Sequence, residues 1–149
     1  DYAAIADIHA MKRQIHAFRG FGSIGVAGHN VKLGPGGIRE IEFFAQTQQL
    51  IAGGRQKDLR VRCTLDALLC LEERSWIRPE VCADLTKAYL ELRRIEHRVQ
   101  MVADEQTHEI PSDDAALAQF SRFAGFSSLE DFARSYTETL SGVQTHYRE

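Results

Sequence analysis

Residues 32–43 read Lys-Leu-Gly-Pro-Gly-Gly-Ile-Arg-Glu-Ile-Glu-Phe, a glycine-rich turn running directly into an amphipathic stretch. A helix start presents unpaired backbone N–H groups and a partial positive charge. Glycines let an anion come close to that backbone, and Lys32 and Arg39 add charge on either side. Lys32, Gly34, Gly36, Gly37 and Arg39 are therefore the candidates to lie beside a phosphate group. A glycine-rich turn before a helix also occurs simply as a turn, and the residues alone leave both readings open.

The helix that follows carries a second signal. At helical spacing Ile38, Ile41, Ala45 and Ala52 fall together, continuing to Phe44 and Ile51, while Phe43 and Leu50 form another apolar strip. Arg39, Glu42, Gln46 and Gln49 run between the strips as a narrow polar row. Such a row is either an internal ion pair, Arg39 with Glu42 at i,i+3, or a face turned to an active-site cleft. In the second case Glu42 and Gln46 orient Arg39. A matching face lies further along the chain, where Arg93, His97, Gln100 and Asp104 align with Glu96 at the border. Arg93, Glu96 and Gln100 are candidates to support the same surface.

Other chemistries lack their residues. GxGxxG, GxxxxGK[ST] and GxSxG are absent, as are Asp-x-Asp pairs. The histidines at 9, 16, 29, 97, 108 and 146 form no HxH or HxxxH group, so no metal site is expected. Glu40 and Glu42 sit roughly 160° apart on a helix and cannot easily share a cation. Cys63, Cys70 and Cys82 have no CxxC spacing. They fit neither a disulfide framework nor a zinc knuckle, and Cys63 and Cys70 are expected to be small buried side chains.

Positioning these faces requires helices. We expect an all-α fold, a bundle of about six helices with one long central helix over about 79–104. The first helix covers 1–17, with Ile5, Ile8 and Ile15 in phase; Gly20, Gly22, Gly25 and Gly28 then mark a loop or short hairpin. The second runs from near Gly37 to the stop at Gly53-Gly54. The third starts at Thr64 as N-cap, with Asp66 in its first turn, and reaches Ser75. The fourth starts at Pro79 and carries Val81, Leu85, Ala88, Leu92, Ile95, Val99 and Val102 as a seam of alternating four- and three-residue steps. The fifth runs from Ser112 to Ala124-Gly125. The sixth begins at Ser127 or Ser128, where Ser127-Ser-Leu-Glu130 fits the capping box, carries Leu129, Phe132, Ala133, Tyr136 and Leu140 as its stripe, and frays near His146.

The whole chain of 149 residues is long enough for one such domain. A net charge of −3 argues against a dedicated nucleic-acid binder. No apolar run nears the roughly 20 residues of a membrane span, and no signal peptide stands at the start. Unpaired cysteines fit a reducing cytoplasm. Asp1 in place of methionine, with helical character from Tyr2, leads us to expect both ends to be cut points in a longer protein.

Residues Asn30-Val-Lys-Leu-Gly-Pro-Gly-Gly-Ile-Arg-Glu-Ile-Glu-Phe-Phe44, then Gln46, Gln49-Leu-Ile51 and Gly53-Gly-Arg55, resemble glutamine synthetase adenylyltransferase. A second block, Leu92-Arg-Arg-Ile-Glu-His-Arg-Val-Gln100 with Asp104-Glu-Gln-Thr107 and Pro111, resembles it in the same order and at the same spacing. The resemblance spans Ile24 to Pro111. It implies a large bifunctional bacterial enzyme of nitrogen metabolism that adds AMP to glutamine synthetase and removes it. Each half of that enzyme pairs a nucleotidyltransferase domain with a helical domain. Gly37-Ile-Arg-Glu-Ile-Glu-Phe43 and Asp104-Glu-Gln-Thr107 resemble the N-terminal, adenylyl-removing half, whereas the C-terminal half reads closer to GGI-T/A-D-IEF. PII uridylyltransferase carries a similar KEGPGGLRD stretch and stays an alternative.

The resemblance implies no catalytic residue in this chain, since the family's carboxylates belong to an upstream nucleotidyltransferase domain absent from it. Magnesium and nucleotide (ATP or ADP) would be held there, with none in this segment, which alone would be inactive. The implied partners are that domain, glutamine synthetase and a PII-type signal protein, with no nucleic acid and no membrane. The competing reading of another class is a non-catalytic regulatory or partner-binding module, with the polar rows consumed as ion pairs.

Overall fold

The computed structural model describes residues 26–53, 63–103 and 107–148. Five helices lie in these segments: α1 (Ile38–Gly53), α2 (Thr64–Glu73), α3 (Pro79–Ala103), α4 (Asp114–Phe123) and α5 (Leu129–Arg148). The described residues form no strand, only an isolated antiparallel bridge between Asn30 and Glu109. The expected helix over 1–17 and the glycine loop up to Gly25 lie outside the described residues. The described residues are thus all-α, and their five helices are the second to sixth of those expected.

Apolar spacing explains the packing. α3, of 25 residues, packs against α1, α2, α4 and α5. Val81, Leu85, Ala88, Leu92, Ile95 and Val99 are buried along it as the seam required. Val102 is not, being 54% exposed in the last turn, where the seam runs past its neighbours. α1 buries Ile38, Ile41, Phe43, Ala45 and Ala52; Phe44 and Leu50 are half-buried and Ile51 is exposed. α5 buries Phe132, Tyr136, Leu140, Val143 and Tyr147, while Leu129 and Ala133 are half-buried. Phe120, Phe126, Phe132 and Tyr136 form a ring-to-ring series in the same core.

The helix ends differ in detail from the spacing-based expectations. Cys63, not Thr64, is the N-cap of α2 and makes no side-chain cap bond. Asp113 caps α4, its carboxylate accepting from Ala116 N at 3.0 Å, so Ser112 lies outside the helix. Of the two expected starts of the last helix, Ser128 is the cap, its Oγ accepting from Asp131 N at 3.1 Å. α2 stops at Glu73, short of Ser75, in a Schellman turn: Trp76 N donates to Leu71 O and Ser75 N to Glu72 O, with Ser75 at φ 61. α4 ends the same way at Gly125 (φ 97), with Phe126 N on Ser121 O. α5 does not fray at His146; it continues to Arg148, and His146 Nε2 lies 3.1 Å from Asp84 Oδ2 on α3.

The cysteines also depart from expectation. Cys63 is exposed and Cys70 half-buried, because the first precedes the helix and the second lies at the edge of its apolar face; Cys82 alone of the three is buried.

Candidate functional site

The glycine turn is built from its own backbone outward. Val31 N donates to His108 O (2.7 Å), and Lys32 N and Leu33 N donate to Asn30 Oδ1. Gly34 N donates to Asn30 O, Gly36 N to Glu40 Oε2 and Gly37 N to Gly34 O. Ile38 N then donates to Val31 O, Arg39 N to Lys32 O and Glu40 N to Gly37 O. Every N–H from Val31 to Glu40 is thus committed inside the chain, Pro35 having none. The turn offers an anion no idle amide, and Lys32 and Arg39 are the cationic side chains that flank it.

The glycines have a local cause. A Cβ at Gly34 would lie 2.6 Å from Asn30 O and 2.7 Å from His29 Nε2. At Gly37 it would lie 2.5 Å from Val31 O, and at Gly36, whose φ is +72, 2.4 Å from Leu140 O. In each case the chain's own atoms lie where a Cβ would stand.

His29 is buried behind the turn. Its Nε2 must donate to Pro35 O (3.0 Å), since a carbonyl only accepts, which leaves Nδ1 to accept from Tyr136 O–H (2.7 Å). Burial lowers the His29 pKa, partly offset by the bond to Pro35. Burial likewise raises the Tyr136 hydroxyl, and Tyr147 is raised by burial with the charge of Glu40 adding to it.

The polar row of α1 is partly exposed. Arg39 Nε lies 3.4 Å from Glu42 Oε1, with side chains 35% and 28% exposed, and the Arg39 guanidinium sits over Phe43. Lys32 is half-buried and Gln46 exposed. On α3, Glu96 is buried, and its oxygens are divided: Arg93 Nη1 reaches Oε1 at 3.1 Å and His108 Nδ1 reaches Oε2 at 2.8 Å. The His108 contact is close but off-line for a hydrogen bond. Gln100 is half-buried one turn on. Arg94 turns away to Glu91 and Ala124 O, and Arg98 lies over Phe123.

The candidates thus form two groups, one on the turn and α1, one on α3. His29, Tyr136 and His108 were not among them. Histidines read singly carry no pattern, and the partner of His29 stands 107 positions away. Among the described residues no group of three His, Cys, Asp or Glu gathers that could hold a metal ion. No described helix is long and apolar enough to cross a membrane.

The family described as GlnD PII-uridylyltransferase matches residues 7–149. The chain belongs to this family. A relative from Rhodopseudomonas palustris is 59% identical over 147 residues, 99% of this chain and 15% of its own length. It is named bifunctional glutamine synthetase adenylyltransferase/adenylyl-removing enzyme. Relatives of the same name from Agrobacterium fabrum (58% over 147 residues) and Bradyrhizobium diazoefficiens (56% over 149) cover 99% and 100% of this family member. The likeness to glutamine synthetase adenylyltransferases thus extends over essentially all of the chain, beyond the Ile24–Pro111 blocks. The chain spans about 15% of the length of these curated relatives.

Proposed function

We propose that this chain is the helical domain of the adenylyl-removing half of a glutamine synthetase adenylyltransferase, a transferase. In this reading residues 1–149 form one domain of six helices around a central α3, following an upstream nucleotidyltransferase domain. The observation that carries it is the 55–59% identity, over 99–100% of the chain, to enzymes named for adenylyl removal. The GIREIEF wording adds the assignment to the N-terminal half.

The reaction proposed for the intact enzyme is phosphorolysis. A phosphate oxygen attacks the AMP phosphorus, the bond to the tyrosyl oxygen of glutamine synthetase breaks, ADP leaves, and the tyrosine recovers its proton. The upstream domain would hold magnesium and nucleotide and supply the catalytic carboxylates. This chain supplies a wall: Lys32 and Arg39 present positive charge to phosphate, Gly34, Gly36 and Gly37 shape the turn, Glu42 and Gln46 border Arg39, and Arg93, Glu96 and Gln100 brace the surface from α3. Fixed charge aimed at a transferring phosphoryl group lowers the barrier without reorganisation. Glutamine synthetase and a PII-type protein are the proposed partners, in the cytoplasm.

The test is Arg39→Ala in the full-length enzyme. We expect kcat for AMP removal to fall about 10²-fold with thermal stability unchanged. Normal removal at normal stability sinks the assignment.

A second reading rests on the description of the matching family, a PII uridylyltransferase. Assaying the full-length protein with UTP and a PII protein against adenylylated glutamine synthetase and phosphate separates the two. The Arg39–Glu42 pair also suits a regulatory module, which direct titration with a PII protein, without turnover, would reveal.

A further inference from the structure

The two groups of site candidates lie on different parts of the chain, and one residue touches the framework of both. His108 gives its backbone carbonyl to Val31 N at 2.7 Å, the residue directly before Lys32. It gives its ring to Glu96 of α3 at 2.8 Å. The neighbouring bridge of Asn30 with Glu109, flanked by Ile110 N on His29 O and Gly28 N on Ile110 O, fixes the register of this contact. Glu96 is buried, and a buried carboxyl is costly unless its oxygens find partners. Arg93 Nη1 stands 3.1 Å from one oxygen, and the His108 ring places Nδ1 2.8 Å from the other without an aligned hydrogen bond.

We propose that His108 is a positioning residue that ties the glycine turn to α3 through Glu96. It thereby sets where Lys32 stands relative to Arg93. The proposal rests on the functional reading above. His108 touches no reacting atom in it; it acts through the Val31–Lys32 backbone. A shift of the order of an ångström in a charged side chain near a phosphoryl group is enough to cost about 10²-fold in rate.

The experiment uses the full-length enzyme and follows phosphate-dependent removal of AMP. His108→Ala should lower kcat at least tenfold with KM for glutamine synthetase–AMP within twofold and the melting temperature unchanged. His108→Asn keeps a polar nitrogen near the Nδ1 position, within reach of Glu96, and should restore most of kcat, whereas His108→Gln, with its amide near the Nε2 position, should not. Glu96→Gln combined with His108→Ala should lose no more than the worse single variant, because both remove one link. A proportional loss of kcat and stability, equal behaviour of Asn and Gln, or additive loss in the double variant overturns the proposal. Arg39→Ala is the separate control. Loss with Arg39→Ala but none with His108→Ala defeats this proposal and spares the functional reading; no loss with Arg39→Ala defeats the reading, whatever His108 does.

Discussion

Gly36 lies so close to the backbone of Leu140 that a Cβ there would stand 2.4 Å from the Leu140 carbonyl oxygen. The glycine turn is closed from behind by α5, and the missing side chain is what lets the two backbones meet. Gly36→Ala should therefore cost roughly 3 kcal/mol, from overpacking of about 1–3 plus about 1 for left-handed φ. Two other glycines serve as controls. Gly125 (φ +97) faces open space, so alanine there should cost about 1 kcal/mol from conformation alone. Gly142, inside α5 with nothing near it, should gain about 0.5–1 kcal/mol as alanine. Urea unfolding of the three variants checks the order; a Gly36→Ala protein as stable as Gly125→Ala contradicts it.

Acid should weaken the region behind the turn. The His29 pKa is lowered by burial, so between that value and about 6.5 the unfolded chain binds the proton and the folded chain does not. The contribution of neutral His29 is complete above about pH 6.5 and is lost as pH falls through the folded pKa. Measured as the stability gap between the wild type and His29→Gln, it should be widest near pH 7.5 and narrow on the way to pH 5. A gap that does not vary with pH rules this out.

Committed amides predict a silent backbone. When inorganic phosphate is titrated into the chain, amide proton shifts of Gly36, Gly37, Ile38 and Glu40 should stay put, because each N–H already has an acceptor. Any response should appear in the Lys32 and Arg39 side chains and vanish as salt is raised. Downfield movement of the Gly36 and Gly37 amides would show that the turn opens to bind.

Thiol chemistry should rank the cysteines by exposure. Cys63 is exposed, whereas Cys82 is buried beside Thr86 and its pKa is raised by burial, with Glu72 adding to the rise. Under native conditions an alkylating reagent should modify Cys63 first and leave Cys82 protected until unfolding. Mass mapping of the time course tests this, and equal rates at the two sites refute it.

Helix positions were legible because burial along α1, α3 and α5 follows the 3.6-residue period, from Ile38 to Ala52 and from Val81 to Val99. Ends were less so, since Cys63 can occupy a cap through backbone geometry alone and Ser127 and Ser128 compete with equal chemistry. Ion pairs at i,i+3, Arg39–Glu42 and Arg93–Glu96, were readable from spacing. The partners of His29 and His108 were not, because no local period connects residues that meet only after the chain has folded back. The glycines were the hardest to interpret. The same absence of a Cβ admits a ligand or a neighbouring carbonyl, and only coordinates distinguish Leu140 O from a phosphate oxygen.

The tie between His29 and Tyr136 spans 107 positions. Such a contact cannot form until α5 has been made and has docked, and closing a loop of that size is slow beside the winding of a single helix. During synthesis α1 can coil early, but the turn ahead of it must wait until α5 has been made. The segment proposed to face phosphate is thus among the last to take shape. Variants that delay α5 should yield a protein rich in helix whose turn is still unmade.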